Sequence, residues 1–277
     1  MSRGPHEPPV AATSVRAPHP VLTRHYGCDQ DRRAFVVGLF DATAGCYERF
    51  CSMMSLGSGL WYRRRALERL GLRPGMRLLD VAIGTGLVAR AAAQILPDVG
   101  AIVGLDPSAA MLRVARMRVA GPLVQGQVEE LPFEGASFDV LTIGYALRHA
   151  SDLDVAFGEC RRVLKPGGRA LVLEISRPPS PLRQRLIRLY VTRVLPSLMA
   201  LTTRNRDVGR LARYYWDTIA ACVPPEAILD SLGRSGFVDV HHRAFAGLIS
   251  EYTARRPPAN APPSQMPPST ATTWPVT

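Results

Sequence analysis

Between residues 77 and 175, short apolar runs alternate with amphipathic stretches. This alternation restricts the fold more than any other feature of the chain. The runs 77–83, 101–106, 123–128, 138–143 and 169–175 have the length of strands, while 87–96, 109–119 and 153–164 repeat apolar residues at helical spacing. Strands that are apolar on both sides need cover on both faces, and strands joined through helices run parallel. The expected architecture is α/β, a doubly wound and mostly parallel sheet. Two helices are expected over 34–70. After Arg177 the pattern turns helical to about Ser235, then ends in two strand-like runs, 238–241 and 245–249.

The first of these strands runs into Asp80-Val-Ala82-Ile-Gly84-Thr85-Gly86, and a helix follows at once. Glycines at such a turn let backbone N–H groups approach a ligand at a helix N-terminus. Asp106 ends the second strand, where a carboxylate can accept hydrogen bonds from both hydroxyls of a ribose. A pyrophosphate reader would carry a third glycine as G-x-G-x-x-G, and a Walker A loop would carry Gly-Lys-Ser/Thr. Neither is present. The pattern points to a nucleoside without a phosphate chain, with Asp80, Ala82, Gly84, Thr85, Gly86 and Asp106 as candidate contacts.

Composition bounds the rest. Of 24 prolines, five fall in 1–33 and seven in 257–277. Both stretches are poor in large apolar residues and are expected to be disordered tails flanking one domain, 34–256. The N-terminal tail reads better as an untargeted extension than as a transit peptide, since its prolines oppose an amphipathic targeting helix. The net charge of +11 rests on 33 arginines and one lysine, Lys165. That balance favours anionic partners, but the arginines are dispersed and no helix-turn-helix or basic–aromatic stripe appears, so nucleic acid is not expected. Five cysteines without a Cys-x-x-Cys pair suggest neither a disulfide framework nor a zinc site, and no metal is expected. His241 and His242 are adjacent on an expected strand and point to opposite faces. No apolar run has membrane-spanning length, and the unpaired cysteines read as reduced thiols of a cytoplasmic protein.

Further segments carry a resemblance. Gln127-Val128-Glu-Glu-Leu-Pro-Phe133, Ser137-Phe-Asp139 and Arg162-Val-Leu-Lys-Pro-Gly-Gly168 follow the glycine turn in order, and together they resemble class I S-adenosylmethionine-dependent methyltransferases. Phe40-Asp-Ala-Thr-Ala-Gly-Cys-Tyr47-Glu, Met54-Ser-Leu-Gly57, Ala146-Leu-Arg148-His149 and Leu173-Glu-Ile-Ser176 are similar to the ubiquinone/menaquinone biosynthesis C-methyltransferases. The likeness runs from about Phe35 to Tyr252 and is most specific over 77–177. It implies a seven-stranded Rossmann-like sheet with its last strand antiparallel, a helical lid at about 178–222, and S-adenosyl-L-methionine as cofactor. It implies that Thr85 and Asp106 contact the cofactor and that Gln127 and Val128 lie along its adenine. Gly144 stands where that family often has a cofactor-contacting serine. Met111 could cover the adenine or belong to the core.

The resemblance also implies that Arg148 contacts the methyl acceptor. Arginine stays protonated, which favours stabilising a phenolate over abstracting a proton. His149 replaces a family asparagine and adds an acid–base group. Tyr47 could line the acceptor pocket. The implied acceptor is a small aromatic quinone or phenol, which can be lipophilic. Alternatives are O-, N- or C-methylation of a secondary metabolite or a phospholipid head group, and a non-catalytic cofactor- or nucleic-acid-binding scaffold. A homodimer is compatible with the sequence. Within 182–195, Leu182, Leu186, Leu189, Tyr190 and Val194 form one helical stripe with Arg183, Arg185 and Arg188 largely off it. Packing of that stripe on the domain is the default, and peripheral contact with an anionic membrane is the alternative.

Overall fold

The computed structural model describes residues 17–203 and 205–260. Seven strands form one sheet: β1 (Leu78–Val81), β2 (Ile102–Asp106), β3 (Leu123–Gln125), β4 (Phe138–Gly144), β5 (Leu164–Ile175), β6 (Val238–Phe245) and β7 (Ile249–Arg255). Their order is β3-β2-β1-β4-β5-β7-β6. The first five run parallel, and β7 is antiparallel to both β5 and β6.

Neighbouring residues on a strand point to opposite faces, and both faces are apolar. Leu78, Val140 and Leu171 join a core with α2 (Gly59–Leu70), α3 (Leu87–Ala93) and α4 (Ala109–Arg116). Leu79, Leu141 and Val172 join the opposite core with α5 (Leu153–Val163) and α9 (Pro225–Arg234). A third cluster packs α1 (Asp29–Met54) against α8 (Val208–Ala221) and the segment between α6 (Pro181–Leu189) and α7 (Leu195–Ala200). The strand order reverses between β1 and β4. That reversal opens a crevice at the carboxyl ends of the strands.

Three expectations need correction. Residues 17–33, assigned above to a disordered tail, pack on the domain. His19, Tyr26 and Arg32 are buried, Arg32 donates to His19 (2.6 Å to Nε2), and α1 already starts at Asp29. The prolines there shape a strap whose few large side chains find cover on α8, which average composition does not register. The run 245–249 is a turn rather than a strand. Ala246 and Gly247 both have positive φ (54° and 65°) between Phe245 and Leu248, and a two-residue turn of this kind joins twisted antiparallel strands. The stripe on α6 is not packed as the default held: α6 has no buried residue, and Leu182, Leu186 and Leu189 are exposed. A π-helical turn, Tyr190–Val194, follows it. Pro196, with no N–H for the carbonyl four residues back, accounts for this widening.

Candidate active site

The chain leaves β1 through a tight turn. Ala82, Gly84 and Gly86 all have positive φ, and the turn ends at the N-terminus of α3. Gly86 is required twice over, because φ is 89° and a Cβ there would meet Val119 Cγ2 at 2.6 Å. The cap residue Gly86 has no side chain to satisfy the helix. Asp80 does this from below: one carboxylate oxygen accepts from Ala89 N (3.1 Å) and the other from Thr142 Oγ1 (2.8 Å). Burial pushes the Asp80 carboxyl up to about 7. Asp80 and Gly86 therefore build the turn and stay off the cavity wall, which corrects their assignment as direct contacts.

Ala82, Gly84, Thr85, Asp106, Met111, Gln127, Val128 and Gly144 do line one cavity at the carboxyl ends of β1, β2 and β4. Asp106 is oriented by two backbone donors, Gly84 N and Ser108 N, both at 2.8 Å. Each oxygen keeps a second lone pair for a ligand hydroxyl. Burial raises this carboxyl to about 6. Asp41 of α1 accepts from Ser108 Oγ (2.6 Å) and Ala110 N (3.1 Å), which ties α1 over the crevice. Met111 is buried with Ala44 and Ala110 and also lines the cavity. At Gly144 a Cβ would lie 2.6 Å from Val88 Cγ2, so a serine has no room there.

The cavity continues into an aromatic chamber walled by Phe40 and Tyr47 of α1, Tyr145 after β4, and Tyr215 of α8. His149 sits at its edge, in a single turn of 3-10 helix, Leu147–His149. Its ring meets Phe40 edge-on at 5.2 Å, and its Nδ1 lies 3.0 Å from Tyr214 Oη. Nε2 is buried with no hydrogen-bond partner among the described residues. Burial, reinforced by the nearby Arg148 charge, holds the imidazole well below its usual pKa, so it is neutral near pH 7. Burial likewise raises the Tyr47 phenol well above its usual value, so it is a neutral hydroxyl.

Arg148 departs from expectation. Its guanidinium is fully buried behind the wall and forms an ion pair with Glu174. Nε donates to Thr218 Oγ1 (3.3 Å), and the group lies 4.9 Å from the Tyr215 ring centroid. Burial opposes its charge, but the Glu174 carboxylate more than offsets this and raises its pKa. The cavity is not lined by Arg148, which reaches it only through His149 and Tyr215. Besides the exposed Arg33 of α1, the cation that faces the cavity is the buried Arg63 of α2. It is 8% exposed, stacks 4.7 Å over the Tyr145 ring, and leaves Nε buried without a partner. Nothing in the sequence distinguishes Arg63 from the adjacent Arg64 and Arg65, and Tyr215 belongs to no local motif. Phe40 opens the Phe40–Glu48 segment that carries the family likeness, and its spacing of seven from Tyr47 puts both on one face of α1.

Residues 28–255 match the model of the ubiE/COQ5 methyltransferase family. The chain belongs to that family. It is 36% identical over 229 residues to the ubiquinone/menaquinone biosynthesis C-methyltransferase UbiE of Shewanella halifaxensis, covering 79% of this chain and 90% of that protein. Over 194 residues it is also 36% identical to the protein of the same name from Shewanella oneidensis, covering 66% and 77%. Among solved structures, a SAM-dependent methyltransferase from Thermotoga maritima aligns with a TM-score of 0.56 at 20% identity, over 79% of this chain and 99% of its own. The cyclase SpnF aligns with a TM-score of 0.58 at 19% identity, over 88% and 100%. These two support the fold. Family membership makes the chain an S-adenosylmethionine-dependent methyltransferase.

The residues present fit that cofactor. Among the described residues Thr85 Oγ1 is buried with no hydrogen-bond partner, and a Cβ on Gly84 would meet no atom within 4 Å, so the backbone there faces free space. Asp106 offers acceptors to a ribose at one end of the cavity, and Arg63 offers a charged donor to a carboxylate elsewhere on its wall.

Proposed function

We propose that the enzyme methylates a ring carbon of a quinol or phenol precursor in ubiquinone/menaquinone biosynthesis, using S-adenosylmethionine. The observation that carries this reading is the continuity of one cavity from the glycine turn and Asp106 to the aromatic chamber edged by His149. The UbiE relatives supply the substrate class.

When bound, the cofactor supplies a methyl group on a sulfonium, activated for in-line transfer. The protein holds and orients the reactants. Asp106 would accept from the ribose hydroxyls, Met111 and Val128 would flank the adenine, Thr85 would offer its hydroxyl, and Arg63 would pair with the methionine carboxylate. Phe40, Tyr47, Tyr145 and Tyr215 sandwich the acceptor ring and exclude water, which strengthens every charge interaction inside. A phenol carbon becomes nucleophilic as the neighbouring hydroxyl loses its proton. His149 accepts that proton at Nε2, with Nδ1–H donating to Tyr214 Oη and fixing the tautomer. Once the carbon carries the methyl, its own ring hydrogen leaves as a proton to solvent and the oxygen regains a proton from His149, which restores the aromatic phenol. Its depressed pKa keeps it in the base form before transfer. Arg148 acts as a positioning residue: with Glu174 and Thr218 it fixes the turn that carries His149.

Incubating the purified enzyme with S-adenosylmethionine and a quinol lacking one ring methyl tests the reading. The expected product is heavier by one methylene, with the methyl on ring carbon. Methyl transfer to oxygen or nitrogen, or to a different acceptor class drawn from a cell extract, would replace the quinone assignment with the secondary-metabolite or head-group alternative.

A further inference from the structure

We propose that α6, the π-helical turn after it and α7 form a docking face for an anionic lipid bilayer. The inference goes beyond the catalytic reading and rests on different residues. Leu182, Leu186 and Leu189 are 64%, 57% and 48% exposed and fall on one stripe of α6, a helix without a buried residue. Val194, Leu198 and Leu201 continue the exposed apolar surface along the chain. Three leucines in a row on a helix face usually mark a partner rather than a solvated surface.

Charge decides which partner. Leu189 also lines a cleft walled by Arg24, Arg185, Arg188, Arg193, Arg210 and Arg213. The acid in that wall, Asp217, is already bonded to His25 at 2.8 Å. None of the six arginines forms an ion pair among the described residues, and Arg210 lies over the Phe35 ring at 4.7 Å. A second copy of the same face would bring these cations together. A free anion would satisfy the cleft and leave the leucines in water. A bilayer bearing anionic head groups satisfies both: acyl chains receive the leucines, and phosphates meet the long arginine side chains at the interface.

The placement also suits the site. Tyr190, just past α6, donates to Met53 O at 2.9 Å, near the end of α1. The same helix supplies Phe40 and Tyr47 to the acceptor chamber. A lipophilic acceptor would then leave the bilayer one helix layer from the place where it reacts.

The test is sedimentation of the full chain with vesicles, without cofactor or acceptor. Expected is pelleting with phosphatidylcholine vesicles containing phosphatidylglycerol, little pelleting with phosphatidylcholine alone, and release by high salt. Arg185→Gln with Arg188→Gln should weaken binding roughly fivefold per arginine. Leu182→Ser with Leu186→Ser should weaken it about tenfold or more, through lost apolar burial. Both double variants change exposed side chains and should keep wild-type thermal midpoints and wild-type affinity for S-adenosylhomocysteine, which separates this inference from the methyltransferase reading. Absence of pelleting, equal pelleting with both vesicle types, or a solution dimer dissolved by the leucine variants would overturn it. Binding of inorganic phosphate without binding of vesicles would do so too.

Discussion

A buried arginine with an unpaired donor costs stability unless something arrives to pair with it, and Arg63 is such a group. Its Nε has no partner, its guanidinium stacks on Tyr145, and it forms no ion pair among the described residues. Arg63→Met keeps most of the side-chain length and removes the charge, so two effects of opposite sign follow. In the ligand-free enzyme, losing an unsatisfied buried donor relieves about 1–3 kcal/mol, against which loss of the contact with Tyr145 sets about 0.5–1 kcal/mol. The thermal midpoint should hold or rise by a few degrees, at roughly 2–4 °C per kcal/mol for a domain of this size. In the complex, the loss of a hydrogen bond to a carboxylate is worth about 1.5–3 kcal/mol, or roughly 10- to 150-fold in affinity. Calorimetric titration separates the cases. S-adenosylhomocysteine carries the carboxylate and should bind that much more weakly to the variant. 5′-Methylthioadenosine shares the nucleoside and lacks the amino acid, so its affinity should be unchanged. Equal loss for both ligands would mean that Arg63 only shapes the cavity. Undiminished binding of both would refute the pairing outright.

Asp106 should make cofactor affinity depend on pH. Its carboxyl is raised to about 6 by burial, and the ionised form offers the ribose its acceptors. Affinity should be level above that value and fall by up to about tenfold per unit below it, and titration of Asp106→Asn should remove the slope. His149 should behave otherwise: because its pKa lies well below 6.5, the rate at saturating cofactor should show no acid limb near pH 6.5. His149→Phe should cut turnover by about 10²-fold or more while leaving S-adenosylhomocysteine affinity intact. Arg148→Met should act first on stability, since it leaves Glu174 buried without its cation, at a cost of about 3–5 kcal/mol in urea unfolding. Adding Glu174→Leu should restore much of the loss, which replacement of a surface pair would not do.

The sheet was legible because its strands are covered on both faces and therefore read as continuous apolar runs. The cofactor end was legible because one turn and one strand terminus, each local in sequence, build most of it. Errors arose where local pattern and spatial role separate. Asp80 lies in the motif yet points down into the helix it caps. Arg148 lies in a family segment yet turns toward Glu174, twenty-six residues on, a pairing no local spacing announces. The aromatic chamber draws Phe40 and Tyr215 from two different helices, and Arg63 reaches the cavity from a third, so only tertiary packing reveals them. The strap before α1 was missed for a related reason. Four buried or half-buried side chains, His19, Val21, Leu22 and Tyr26, outweigh Pro18 and Pro20 once α8 gives them a surface.

The fold by itself does not choose the chemistry, as the likeness to SpnF illustrates. What this chain adds to the sheet is an electrostatic arrangement. Arg148 contributes little net field to the cavity, because Glu174 neutralises it at contact and both are buried. Its remaining influence falls on the neighbouring His149, whose protonated form it disfavours. A base held in this way takes a proton only while the acceptor is giving one up, and it is not lost to protonation beforehand. A permanently charged arginine at the acceptor would instead bind a preformed phenolate tightly and lower its nucleophilicity. The two arrangements differ in a measurable way. With a neutral histidine base, the rate should show a normal solvent deuterium isotope effect, because proton transfer accompanies methyl transfer. An isotope effect near unity on a step shown to be chemical would return the central role to a fixed positive charge.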